Sequence, residues 1–142
     1  MIASIRPHIL VFIILALLAA VATPTVVFAE EIINEVYLLE RPNTLLAFSG
    51  IKNNWFELDL HTGETVIKST YDGNVAVVCT SERALAFSGI TGRWSEERLR
   101  IRETMVSISA KGNVATVITN IRALGFSAQT GAWVESQFSI HD

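Results

Sequence analysis

Cysteine occurs once in the 142 residues, at Cys79, so no disulfide can form within the chain. It lies in the apolar run Val75-Ala76-Val77-Val78-Cys79, which marks it as a small buried side chain rather than a reactive thiol. Histidine is also scarce: beyond residue 30 only His61 and His141 occur. Positive charge is in the minority, with 11 Lys and Arg against 14 Asp and Glu. Without Arg6, the segment from Glu30 to Asp142 has a net charge of about −4. Such a balance leaves no electrostatic footprint for nucleic acid or an anionic lipid surface. Helical periodicity is missing after the N-terminal segment, which excludes a helical bundle.

The one long apolar run is N-terminal. Arg6 and His8 precede the uninterrupted stretch Ile9 to Ala22, then Thr23-Pro24-Thr25, ending in Val27-Phe28-Ala29. A basic lead, an apolar middle and small residues before the cut are the layout of a secretory signal. Residues 1–29 are therefore expected to be removed between Ala29 and Glu30, leaving an exported protein, periplasmic or extracellular. The alternative is an uncleaved anchor over residues 9–29, since that length also suits a spanning helix. A membrane is expected as a partner only in that case.

What fills the rest is repetition. Phe48-Ser49, Phe87-Ser88 and Phe126-Ser127 recur at a spacing of 39, as do Trp55, Trp94 and Trp133. Gly73-Asn74-Val75-Ala76 returns as Gly112-Asn113-Val114-Ala115, and Arg83-Ala84-Leu85 as Arg122-Ala123-Leu124. Thr91-Gly92 returns as Thr130-Gly131, whereas the first copy carries Asn53-Asn54 in that region and is expected to lack the turn. Residues 30–142 thus form one three-repeat domain, with copies at about 34–72, 73–111 and 112–142.

Each copy reads as short strands. Val75 to Thr80 is rich in β-branched residues behind a Gly-Asn turn signal, and Ala84 to Ser88 comes next. Leu99 and Ile101 then alternate with Arg98, Arg100 and Arg102, the period of a strand with one wet face. The run Met105 to Ser109 ends at Lys111-Gly112-Asn113, a hairpin into the next copy. The expected architecture is all-β, with three four-stranded antiparallel repeats.

The order of an apolar strand, then Arg-Ala-Leu-Ala-Phe-Ser, then Thr-Gly-x-Trp resembles a β-propeller blade of the kelch or quinoprotein type. The resemblance implies a Trp packed between blades (Trp55, Trp94, Trp133) and an aromatic on the second strand (Phe48, Phe87, Phe126). The paired glycines of kelch repeats are absent, and no quinone-binding or calcium-binding residue carries over. Because propellers close with roughly 4–8 blades, three copies imply half of a six-bladed assembly, hence a homodimer. The alternative is a β-trefoil closing within one chain. By the repeat register, Glu30-Glu31-Ile32-Ile33 supplies a short strand whose counterpart is lacking after Asp142.

No catalytic set is expected, and no cofactor or metal. Glu57, Asp59 and His61 alternate on one strand face, but the second copy has Glu96, Arg98 and Arg100 there, so a solvated face is the simpler account. Ser49, Ser88 and Ser127 recur without a His or carboxylate recurring beside them, which nucleophilic catalysis would need, so their expected task is a turn or strand-end hydrogen bond. No repeated titratable set is read as supporting an enzyme. The expectation is a non-catalytic module for binding or scaffolding with a protein or carbohydrate ligand. The alternative is a lectin with one shallow aromatic site per repeat, its Trp rings stacking on sugars.

Overall fold

A computed structural model describes residues 33–139. Among the described residues eleven strands form three antiparallel sheets, each built from consecutive strands. The first contains β1 (Val36–Arg41), β2 (Thr44–Ser49) and β3 (Asn54–Asp59). The middle sheet is β4 (Val66–Asp72), β5 (Val75–Thr80), β6 (Arg83–Ser88) and β7 (Arg93–Arg98). The third is β8 (Met105–Lys111), β9 (Val114–Thr119), β10 (Arg122–Ser127) and β11 (Ala132–Gln137). The all-β architecture expected from the repeat is present. The segment read as a signal or anchor, and most of Glu30–Ile33, lie outside the described residues, as does His141. Among the described residues no helix is long and apolar enough to cross a membrane.

The repeat is reproduced in three dimensions. The register shift between Val66 and Lys68 recurs between Met105 and Ser107, 39 residues on. Phe48 opposes Trp55, Phe87 opposes Trp94 and Phe126 opposes Trp133, with ring centroids 5.3, 5.3 and 5.2 Å apart. The run at the end of the second copy pairs forward, so β8 belongs with β9 and opens the third sheet. In the same way β4, from the tail of the first copy, opens the middle sheet.

The turn after the Phe-Ser strand is present in the first copy too. Gly92 and Gly131 adopt φ 67° there, and Asn53 takes the same place with φ 50°. Asn tolerates the left-handed region because its short amide can bond locally. The absence expected from Asn53-Asn54 is thus a conservative replacement.

Pattern becomes packing through the period of two. In β5 and β6 every residue is buried. Val75, Val77, Cys79, Ala84 and Ala86 face a core shared with Ala115, Val117, Leu124 and Phe126 of the third sheet. Ala76, Val78, Leu85 and Phe87 face a second core with Val36, Leu38, Leu45 and Ala47 of the first. The middle sheet is sandwiched, and the outer two are buried on one side only. Cys79 lies in the first core as a free thiol, where burial and then the charge of Glu103 push its pKa up to about 11.

The sheets meet most closely at their inner turns. A Cβ on Gly73 would lie 2.5 Å from the carbonyl oxygen of Gly112, so only glycine permits that backbone approach. The Asn74 amide donates to Gly112 O (2.8 Å), and the Glu35 amide donates to Gly73 O (2.9 Å) in the equivalent place. The first strands β4 and β8 approach one another more closely than the last strands β7 and β11, so the sheets fan outward from these turns.

Candidate functional site

The recurring polar residues act between sheets. Ser49 and Ser88 are fully buried and donate across the sheet boundary, Ser49 Oγ to Gly89 O (2.6 Å) and Ser88 Oγ to Ala128 O (2.5 Å). The joint comes in addition to the turn or strand-end hydrogen bond expected of these serines: Ser49 Oγ also receives the Lys52 amide (3.0 Å) and Ser88 Oγ the Thr91 amide (3.1 Å). Ser127, the third of the set, is only half-buried.

A second recurring set contains titratable groups and is built on the recurring Arg83 and Arg122. Arg83 is buried and forks onto Glu64, Nε to Oε1 at 2.9 Å and Nη2 to Oε2 at 3.0 Å. Its Nη2 also donates to the Asp59 carbonyl of the first sheet (3.1 Å), and Nη1 pairs with Glu96. One repeat later, Arg122 forks onto Glu103 at 2.8 and 3.0 Å and donates to Arg98 O at 2.8 Å. It also pairs with Glu97 at 2.9 Å and with Glu135. Burial would raise the Glu64 carboxyl, but the bonds from Arg83, Thr80 and the His61 amide outweigh it and hold the pKa at about 2. Glu103 is lowered against the same burial by Arg122 and the Arg100 amide. The spacings Glu64–Glu103, Thr80–Thr119 and Glu96–Glu135 are each 39, so the signal was in the sequence. It escaped notice because Glu64 and Glu103 lie in loops between strands.

Chemically, these pairs are saturated. Each oxygen of Glu64 already accepts two hydrogen bonds: Thr80 Oγ1 and Arg83 Nε on Oε1, the His61 amide and Arg83 Nη2 on Oε2. His61 lies near Glu64 and Glu82, with Nδ1 at 3.7 and 2.8 Å from their carboxylates. It is this trio, and not Glu57, Asp59 and His61, whose ligand-type atoms come within 4.8 Å of one another. With Glu64 committed to Arg83, the trio has no spare carboxylate lone pairs in its buried member for a cation. Asp59 instead accepts a long bond from Thr44 Oγ1 (3.4 Å).

The six repeat-defining aromatics do not present alike. Phe87 and Phe126 are fully buried, and Trp94 and Trp133 pack against the two cores. Trp94 Nε1 donates to Phe56 O of the first sheet (3.2 Å). Phe48 is half-buried, and Trp55 remains 46% exposed. Around that ring Tyr37 lies edge-on to both Trp55 and Tyr71, with centroids 6.4 and 5.5 Å apart. The outward side of the first sheet is therefore an aromatic face. The outward side of the third is aliphatic, with Val114 and Val134 exposed beside Gly125 and Ala132 in one shallow groove. These two faces are the candidate functional surfaces. No protein-family model matches this chain, and no curated protein matches it either.

Proposed function

We propose that this protein is an exported, non-catalytic repeat module for binding or scaffolding. Its three sheets act as β-propeller blades of the kelch-like kind, half of a six-bladed homodimer. The observation that carries the reading is the contrast between equivalent positions. Ala76, Val78, Leu85 and Phe87 are fully buried in the middle sheet, while their counterparts Tyr37, Leu39, Leu46 and Phe48 lie open or half-open on the first. A repeat that buries a face at one copy and bares it at another has a docking surface there. Propeller geometry is supported by strands that, among the described residues, pair only within their own sheet, and by the outward fan of the sheets. Three units closing on themselves as a trefoil would need strands paired between units. Turns on a rigid β frame then carry recognition.

The test is the solution mass of the purified protein by light scattering, with its N-terminus read by mass spectrometry. Two copies with residues 1–29 removed is the expected result; a monomer at micromolar concentration refutes the shared ring. A second reading is favoured by the cluster of Tyr37, Phe48, Trp55 and Tyr71: a carbohydrate-binding lectin stacking sugars on that face. It predicts quenching of Trp fluorescence by glycans, lost on Trp55→Ala.

A further inference from the structure

We infer that two copies of this chain join head to tail, the aromatic face of the first sheet of each seating on the aliphatic face of the third sheet of the other. The inference rests on the repeat-module reading above and specifies which surfaces meet and in what register. Within the chain, each boundary joins the same two kinds of face. Val75, Val77, Cys79, Ala84 and Ala86 of the middle sheet meet Ala115, Val117, Leu124 and Phe126 of the third. The counterparts of the first group on the third sheet are Val114, Thr116, Ile118, Ala123 and Gly125, all half-buried or exposed. The counterparts of the second group on the first sheet are Tyr37, Leu39, Leu46 and Phe48. The two open faces are thus the two halves of a boundary that the chain already builds twice.

Register follows from the internal contacts. Phe56 of the first sheet lies over Phe87 of the middle sheet, with centroids 5.4 Å apart. Moving that pair along by the repeat places Val134, which is 73% exposed, over Phe48 of the second copy. The serine joint runs Ser49 to Gly89 and Ser88 to Ala128. Its next step is Ser127 Oγ donating to Gly50 O of the second copy, and Gly50 is exposed where Gly89 is buried.

An independent observation comes from the inner turns. Asn74 Nδ2 donates to Asn113 Oδ1 at 2.7 Å, the first rung of a ladder of equivalent side chains. Asn74 Oδ1 is buried without a hydrogen-bond partner. The repeat explains this orphan: the group that should donate to it is Glu35, which has only acceptors when ionised. The same Glu35 suits the opposite neighbour. The next donor in the ladder is Asn113 Nδ2, and its acceptor in a second copy is the Glu35 carboxylate. The replacement of Asn by Glu therefore costs a bond inside the chain and makes a charge-assisted one between chains.

Each copy offers one face of each kind, so the contact is heterologous and either closes or grows without limit. The fan of the sheets from touching inner turns favours closure, and two copies give six sheets, within the range of roughly 4–8 at which such rings close. Thr44 stands where Arg83 and Arg122 stand in the other copies, so the joint between chains contains no such buried ion pair.

The experiment uses two variants of the full protein, Val134→Glu and Leu39→Glu, each placing a carboxylate on one of the open faces. Both positions are exposed in the single chain, so the circular dichroism spectrum of each should match that of the parent. Each variant alone is expected to be monomeric, with dimer affinity at least ~100-fold weaker because each buried carboxylate lacks a partner. Mixed, they should form a heterodimer through the one boundary that carries neither change. A V134E protein that stays dimeric while L39E dissociates would mean that first sheets pair with each other, which overturns the head-to-tail joint without touching dimerisation itself. Mass that climbs with concentration would overturn the closed ring. Should either variant unfold, crosslinking of Val134→Cys copies to Phe48→Cys copies with a short bis-thiol reagent decides the matter. Phe48–Val134 adducts support the joint, and their absence refutes it.

Discussion

Replacing Arg122 by Met tests whether the buried ion pairs hold the sheets together. The change keeps most of the side-chain volume but removes five polar contacts, two of them to Glu103. The side chain of Glu103 has 0% exposure, so its charge would be stranded. Removing one partner of a buried pair costs about 3–5 kcal/mol, a large share of the roughly 5–15 kcal/mol that holds a domain of this size. With a urea dependence of about 1–3 kcal/mol per molar, the midpoint should fall by about 2 M. Denaturation followed by fluorescence of the three Trp measures it directly. The double variant Arg122→Met/Glu103→Leu should regain most of the loss, because no charge is then left unpaired. A loss under about 1 kcal/mol for the single change, the size of an exposed ion pair, would refute the reading of the Arg122–Glu103 pair as a buried latch between sheets.

Acid should act through the same pairs. The Glu64 pKa falls from 4.5 to about 2 on folding, so its contribution is fully present above pH 4.5 and is lost as pH drops toward 2. Glu64→Gln should therefore be less stable than the parent at pH 7 and show a flatter stability curve between pH 5 and 2, both read by urea midpoints. Gly73→Ala should destabilise by about 2 kcal/mol or more, since the new methyl meets the Gly112 backbone and φ is positive; a thermal melt unchanged within a degree would contradict that packing. Cys79 should resist thiol reagents in the native state and react at once in urea, as a fully buried thiol with a raised pKa must.

The fold was legible in the sequence to an unusual depth because repetition supplies three readings of every position. Strand order and the turns at Gly73 and Gly112 follow from residues that recur at 39, whereas the alternation at Leu99 and Ile101 does not mark a buried strand face: β7 ends at Arg98 and Ile101 is 94% exposed. Sheet membership was harder to see. The Gly112-Asn113 hairpin folds Met105–Lys111 onto β9 as expected, yet counting by repeat places that run as the fourth strand of the second copy. The latch was missed for a different reason. An Arg at the start of an apolar strand reads as a wet strand end, and its partner Glu64 lies 19 residues back, where only the folded chain brings the two together. The unequal exposure of Trp55, Trp94 and Trp133 was also invisible, since identical residues at identical spacing differ only in which sheet covers them.

The sandwiched position of the middle sheet also sets an order of opening. With both faces of β5 and β6 covered, their amides can exchange with solvent only when a neighbouring sheet leaves. Strands β3 and β11 at the outer edges fray without that event. Amide exchange should therefore grade across the molecule, slowest at Val75–Thr80 and Arg83–Ser88, where the opening free energy approaches that of the whole domain. The chain is built around a centre that its own first and last copies shield.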